Sequence, residues 1–259
     1  MLRHVISHLR RQDWTAVFIE LIVVVVGVFI GVQASNWNEE RETNQKAAVF
    51  TERLRSDLRE EAWNYEYYIG YYREVLGSAK ATADALTGKR PLSDEALLIT
   101  AYRATQYHSG NRRRATYDEL TSTGEIGLIH DRALRELAMN TYTTDVFDDI
   151  VQEGKTSRYR AAFRMVIPYD VQQKLSDSCG DRVVLPGDYA HIAHSLDYPC
   201  ASGLSKDVIA KNAAILRNDS ELVPLLRLRI ADVDTNLGNF TVYGKDIRDG
   251  LRAVAQEKP

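Results

Sequence analysis

The chain has 259 residues, of which 44% are hydrophobic and 27% charged, with a formal net charge of −3 and a pI near 6.1. That balance is ordinary for a folded protein and excludes bulk disorder; the slight acidity also lacks the basic surplus that nucleic acid demands, so none is expected as a partner. With 6 prolines and 15 glycines, and long proline-free stretches rich in Leu, Ala, Arg and Glu, the sequence predicts an all-α fold rather than alternating strands and helices.

The first apolar element runs from Trp14 to Ala34, and Glu20 is its only ionisable residue. At about 1.5 Å per residue a helix of that length spans a hydrocarbon core. Its 13 Val, Ile, Leu and Phe residues each favour insertion by roughly 0.3–0.6 kcal/mol, more than enough together to outweigh one off-centre acid. Residues 14–34 are therefore expected to cross the lipid bilayer. The leading flank carries Arg3, Arg10 and Arg11 while the far flank, NWNEERE, is acidic. Positive charge stays inside, so residues 1–13 are expected in the cytoplasm and 35–259 outside, which in a bacterium is the periplasm. The rival reading is a signal peptide cleaved after Ala34, since Val32-Gln-Ala34 fits the small-x-small pattern. Either reading exports the rest of the chain.

At 100° per residue, Glu20, Gly27 and Gly31 share one narrow face, flanked by Ala16 and Ala34. Gly27-Val-Phe-Ile-Gly31 is a GxxxG pattern that lets another helix approach closely, and an acid on that face meets a partner rather than lipid. The expected partner is therefore another membrane helix, from a second copy or from a larger membrane complex. Incidental glycine in a membrane helix is the plainer alternative.

Trp37 sits where interfacial aromatics belong. Around it runs Gln33-Ala-Ser-Asn36-Trp37-Asn38-Glu39-Glu40-Arg41, preceded by Glu20 and the aliphatic run with its glycines. This resembles a family of bacterial single-span proteins of unknown function, whose signature is an acid, an aliphatic run with glycine, then Q-x-x-N-W-N-E-x-R. Thr116-Tyr-Asp-Glu-Leu-Thr-Ser122-Thr-Gly124 is similar to that family's T-Y-E-E-L-x-S-S-G segment, with Thr123 replacing the second serine. The resemblance implies a membrane-anchored helical protein and supplies no activity.

No glycine or proline interrupts Ser35–Ile69, so the span is expected to continue as one helix through Phe50, Leu54, Leu58, Ala62, Tyr65, Tyr72, Leu76 and Leu86, stopping at Gly88. Tyr65, Tyr67, Tyr68, Tyr71 and Tyr72, after Trp63, read as packing residues or as an aromatic ligand surface. A second helix is expected from Ser93, as N-cap with Ala96 at N3, to about His108. Arg112-Arg113-Arg114 then forms a basic turn, either solvated or an anion site. Thr116 is expected to cap a short helix ending before Gly124. Asp131 begins another, running through Tyr142 and Ile150 toward Met165 with a break near Gly154.

From Pro168 to Gly203 the helical pattern lapses. Cys179 and Cys200, in an exported protein, read as one disulfide tying down this irregular stretch. Within it Asp188, His191, His194, Asp197 and Cys200 recur every third residue, a weak candidate for zinc; no HExxH spacing is present. The last helix, capped by Asp219, carries a heptad seam of Leu226, Ile230, Val233, Leu237, Phe240, Ile247, Leu251 and Val254, interrupted at Gly244. It is expected to pack antiparallel on the long helix, or to form an intersubunit coiled coil.

No nucleophile elbow, Walker loop or dinucleotide fingerprint occurs, so neither an enzyme nor a cofactor is expected. The leading expectation is a membrane-anchored periplasmic bundle acting through association. A ligand-sensing ectodomain and a metal-dependent hydrolase are the alternatives.

Overall fold

The computed structural model describes residues 14–257, with side chains from residue 18. The cytoplasmic flank read from Arg3, Arg10 and Arg11, and the side chain of Ala16, lie outside the described residues. Among those residues the protein is all-α, with no strand. The chain divides into two compact units, one of residues up to 52 with 127–130, the other of 53–126 and 131–259.

Helix α1, Trp14–Leu86, is unbroken over 73 residues and ends just before Gly88, as the sequence predicts. Helix α2, Asp94–Arg103, begins at Ser93, whose Oγ accepts from the Ala96 amide at 3.2 Å. It stops five residues short of the expected His108. Distant arginines take the carbonyls of the turn that follows: Arg229 Nε and Nη2 donate to Ala104 and Gln106, and Arg160 Nη1 donates to Thr105. A continued helix needs some of these carbonyls for itself.

Helix α3 is Ala115–Ser122. Thr116 is not its cap; its amide is instead satisfied by Asp57 Oδ2 of α1 at 3.3 Å, a carboxylate supplied from another helix. Asp131 does cap α4, Arg132–Thr143, by accepting from the Leu134 amide. The long helix expected from there to Met165 is three helices: α4, α5 (Val146–Thr156) and α6 (Arg158–Val166). The breaks fall at Thr144 and Ser157, both with extended ψ. Ser157 Oγ accepts from the Arg160 amide and so starts a new helix. Gly154, expected as the break, is inside α5, where its bare Cα faces the Cβ of Tyr107 too closely for any side chain.

Pro168 opens a helix rather than an irregular stretch. Helix α7, Tyr169–Cys179, buries Val171, Leu175 and Cys179 at intervals of four. Only residues 180–205 are irregular, with 3₁₀ turns at Tyr189–His191 and Ala193–Ser195. Helix α8, Lys206–Asn218, follows, capped by Ser205. Asp219 lies at its C-terminal end and accepts from the Glu221 amide in the turn to α9, Leu222–Gly238. A π-turn, Asn239–Tyr243, then leads into α10, Lys245–Gln256.

The heptad seam is spent within the chain. Leu226, Val233, Leu237, Phe240, Leu251 and Val254 are buried, with Ile230 and Ile247 half-buried. Contacts with α1 run in opposite chain directions: Lys80 with Asp234, Tyr65 with Phe240, Glu66 with Arg248, Arg55 with Glu257. The terminal helices are thus antiparallel to α1, as expected. The seam's interruption at Gly244 has a cause. Where the π-turn meets α10, the Tyr65 hydroxyl donates to the carbonyls of Phe240 and Gly244, at 3.0 and 3.2 Å. A Cβ on Gly244 would collide with that hydroxyl.

The apolar core gathers Ala79 of α1, Leu97, Leu98 and Ala101 of α2, Tyr159 and Phe163 of α6, Leu175 of α7, and Leu216, Leu222 and Leu226 of α8 and α9.

Candidate functional site

Helix α1 carries two different surfaces, and each belongs to its own unit. Over Phe18–Val32, twelve large apolar side chains are between 45% and 63% exposed. Nothing in the described chain covers them. Soluble proteins do not leave such a sleeve in water, where each side chain forfeits roughly 1.5–3 kcal/mol of burial. Along this segment Glu20, Gly27 and Gly31 lie within about 40° of one another. No atom comes within 4 Å of a Cβ built on either glycine. Asn38 falls at the same angle as Glu20, five turns further on, with its amide donating to Glu42 at 2.9 Å. Asn38 lies beyond the apolar run and was not among the residues expected on that face. Trp37, the expected interfacial anchor, is 66% exposed.

Within the second unit α1 is enclosed by other helices. Trp63, Tyr65, Tyr67, Tyr68, Tyr71 and Tyr72 are all buried, on every side of the helix. Their hydroxyls act as fasteners. Tyr68 accepts from the Gly110 amide, Tyr72 donates to the carbonyls of His108 and Ile150, and Tyr71 donates to Asp181. His108 sits among the rings of Tyr67, Tyr68 and Tyr71 at 4.7–5.6 Å. Burial there pushes its pKa down to about 4, so it is neutral at ordinary pH. The tyrosines pack; they present no open aromatic ligand surface.

In the arginine turn Arg113 and Arg114 stay exposed, as a solvated turn would be, while Arg112 is drawn inward, and all three are ion-paired within the chain. Arg112 pairs with Glu61 at 2.8 Å, donates to the Thr141 carbonyl, and lies over the Phe147 ring. Arg113 pairs with Glu60, and Arg114 with Asp118. Glu61 is fully buried and also accepts from the Arg113 amide at 2.7 Å. Together these contacts lock the 110–114 turn to α1. A second clamp lies further along: Glu66 meets Arg248 and Arg252. Burial pushes the Glu66 carboxyl up, yet hydrogen bonds from the two guanidiniums outweigh it and hold the group below its usual range.

Cys179 and Cys200 are joined by a disulfide with their Cα atoms 5.5 Å apart. Arg103 of α2 braces it, donating to the carbonyls of Cys179 and Tyr198 and to Cys200 Sγ. The Tyr198 ring is held between the guanidiniums of Arg103 and Arg182. In the bridged loop His191 Nδ1 lies 2.8 Å from Asp188, whose carboxyl is held below its usual range by that hydrogen bond. The rings of His191 and His194 are 5.3 Å apart. These residues share an open cavity of about 540 Å³ with Asp197, but Cys200 is oxidised. Among the described residues no three His, Cys, Asp or Glu side chains converge to hold a metal ion.

Two features had no sequence signal. Arg229, in the middle of the apolar seam, is completely buried and ion-paired with Glu153 of α5. A polar cavity of about 270 Å³ lies among α2, α6 and α7. In both, residues far apart in the chain supply the partners.

A family model described as a family of unknown function, DUF6090, matches residues 20–158, from the acid on the apolar helix to the start of α6. No curated protein and no solved structure matches.

Proposed function

The chain belongs to the DUF6090 family, and from that premise we propose that it is a bacterial inner-membrane protein with one span, its amino end cytoplasmic and its helical body periplasmic. It works by association: the face of Glu20, Gly27 and Gly31 receives another membrane helix, from a second copy or a larger complex. The observation that carries this is the bare apolar sleeve of Phe18–Val32, with both glycines open to solvent on one side. Lipid satisfies the sleeve, but lipid does not satisfy a carboxylate; a helix seated on the glycines brings backbone and side-chain partners close to it. Cys179–Cys200 supports the export half of the reading, because such bridges persist in oxidising compartments. The Q-x-x-N-W-N-E-x-R signature around Trp37 marks the outer boundary.

Gly27→Ile combined with Gly31→Ile fills the close-approach surface with branched side chains while keeping the segment apolar. In membranes treated with a crosslinker, this variant is expected to lose crosslinked species by about tenfold. Thermal unfolding of the body should be unchanged. An undiminished crosslinking pattern would exclude this face as the contact.

A further inference from the structure

The cavity among α2, α6 and α7 differs from the others in its chemistry. At about 270 Å³ it has room for several waters or for one small molecule. Arg160 of α6 is half-buried in its wall. The guanidinium is fixed from behind: Nη1 donates to the Thr105 carbonyl at 2.7 Å, and the group lies 4.9 Å from the Tyr107 ring centre. Among the described residues no carboxylate lies within ion-pair distance of it, the Asp181 carboxyl feeling its charge only from further off, and its one side-chain hydrogen bond there is that to Thr105. Its neighbour Arg164, exposed at the same cavity, has no ion pair either. Burial and the Arg164 charge both act against Arg160, pulling its pKa below the ordinary arginine range. A positioned, half-desolvated guanidinium with an unspent fork is built to accept a carboxylate in bidentate fashion.

The wall contributed by α7 carries Gln173, Ser176 and Asp177. Asp177 is exposed and also without a pairing cation among the described residues. A site for a plain anion gains nothing from an acid at its edge, which repels the ligand. A ligand carrying both charges uses both walls.

We propose that this cavity binds a small free α-amino acid, with its carboxylate on Arg160 and Arg164 and its ammonium on Asp177. The amide of Gln173 is left for the side chain of a polar amino acid. The proposal concerns the helical body alone and stands apart from the reading of the membrane helix.

The test uses the full-length protein in mild detergent. Isothermal titration and thermal melts are run with L-glutamate, L-glutamine, L-serine and glycine, and with succinate, methylamine and inorganic phosphate as probes that carry charge of one sign only. At least one amino acid is expected to bind and raise the melting temperature, while the one-sign probes do neither at the same concentration. Arg164→Gln and Asp177→Asn, both at exposed positions, are each expected to weaken that binding about tenfold or more. Arg160→Lys keeps the charge but loses the fork and should weaken it as well. Absence of binding by all four amino acids would overturn the proposal. So would binding indifferent to Asp177→Asn, or succinate or phosphate binding as tightly as any amino acid, since either marks a simple anion site.

Discussion

Arg229→Ala is expected to cost about 3–5 kcal/mol of unfolding free energy, the range for removing one partner of a buried ion pair. The side chain is fully buried and Glu153 nearly so. Three groups lose their donor at once: the Glu153 carboxylate and the carbonyls of Ala104 and Gln106. Burial already pushes the Glu153 carboxyl above its usual range, with Arg229 pulling the other way. Without the arginine that carboxyl rises further. A folded-state pKa raised above the unfolded value penalises the fold where the unfolded carboxyl ionises, and the penalty fades as pH falls. The deficit of Arg229→Ala should therefore be larger near neutral pH than at mildly acidic pH. Urea denaturation at the two pH values measures this, and Arg229→Met with Glu153→Gln should recover part of the loss. A cost under about 1 kcal/mol would mean the pair contributes little to the fold.

Cys179→Ala with Cys200→Ala is expected to cost about 3 kcal/mol through the greater freedom of the unfolded chain, for a bridge spanning 21 residues. The loop does not depend on the bridge alone. Ile192, Leu196 and Tyr198 are buried, and the Tyr198 hydroxyl donates to the Gly180 carbonyl. Hydrogen exchange should accordingly rise first at residues 180–200, with α1 and α9 retaining their protection. Uniform loss of protection would instead show that the bridge supports the whole body.

Both effects bear on how far the sequence was readable. Local signals were reliable: the Ser93 and Asp131 caps, the stop before Gly88, the cysteine pair and the apolar seam ending at Val254 all appear where their chemistry put them. Several misreadings share one cause, a partner remote in the chain. Thr116 looked like a cap, but Asp57 fills that role from 59 residues away. Arg229 sits one residue before Ile230 in the seam and is explained only by Glu153, 76 residues earlier. Helix α7 was missed because only three apolar side chains anchor it and a proline precedes it. The apolar sleeve was legible, since a long exposed apolar helix is written in composition alone. The polar cavity was not, because it exists only where three helices meet.

The most direct measurement is native mass spectrometry of the protein extracted from its own membranes in mild detergent at native expression. The account predicts particles heavier than the 29.3 kDa chain, as a multiple of it or as part of a larger membrane assembly, with the heavier species reduced in the Gly27→Ile, Gly31→Ile variant. Particles of one chain alone, from protein that stays with the membrane, would contradict association through the apolar helix.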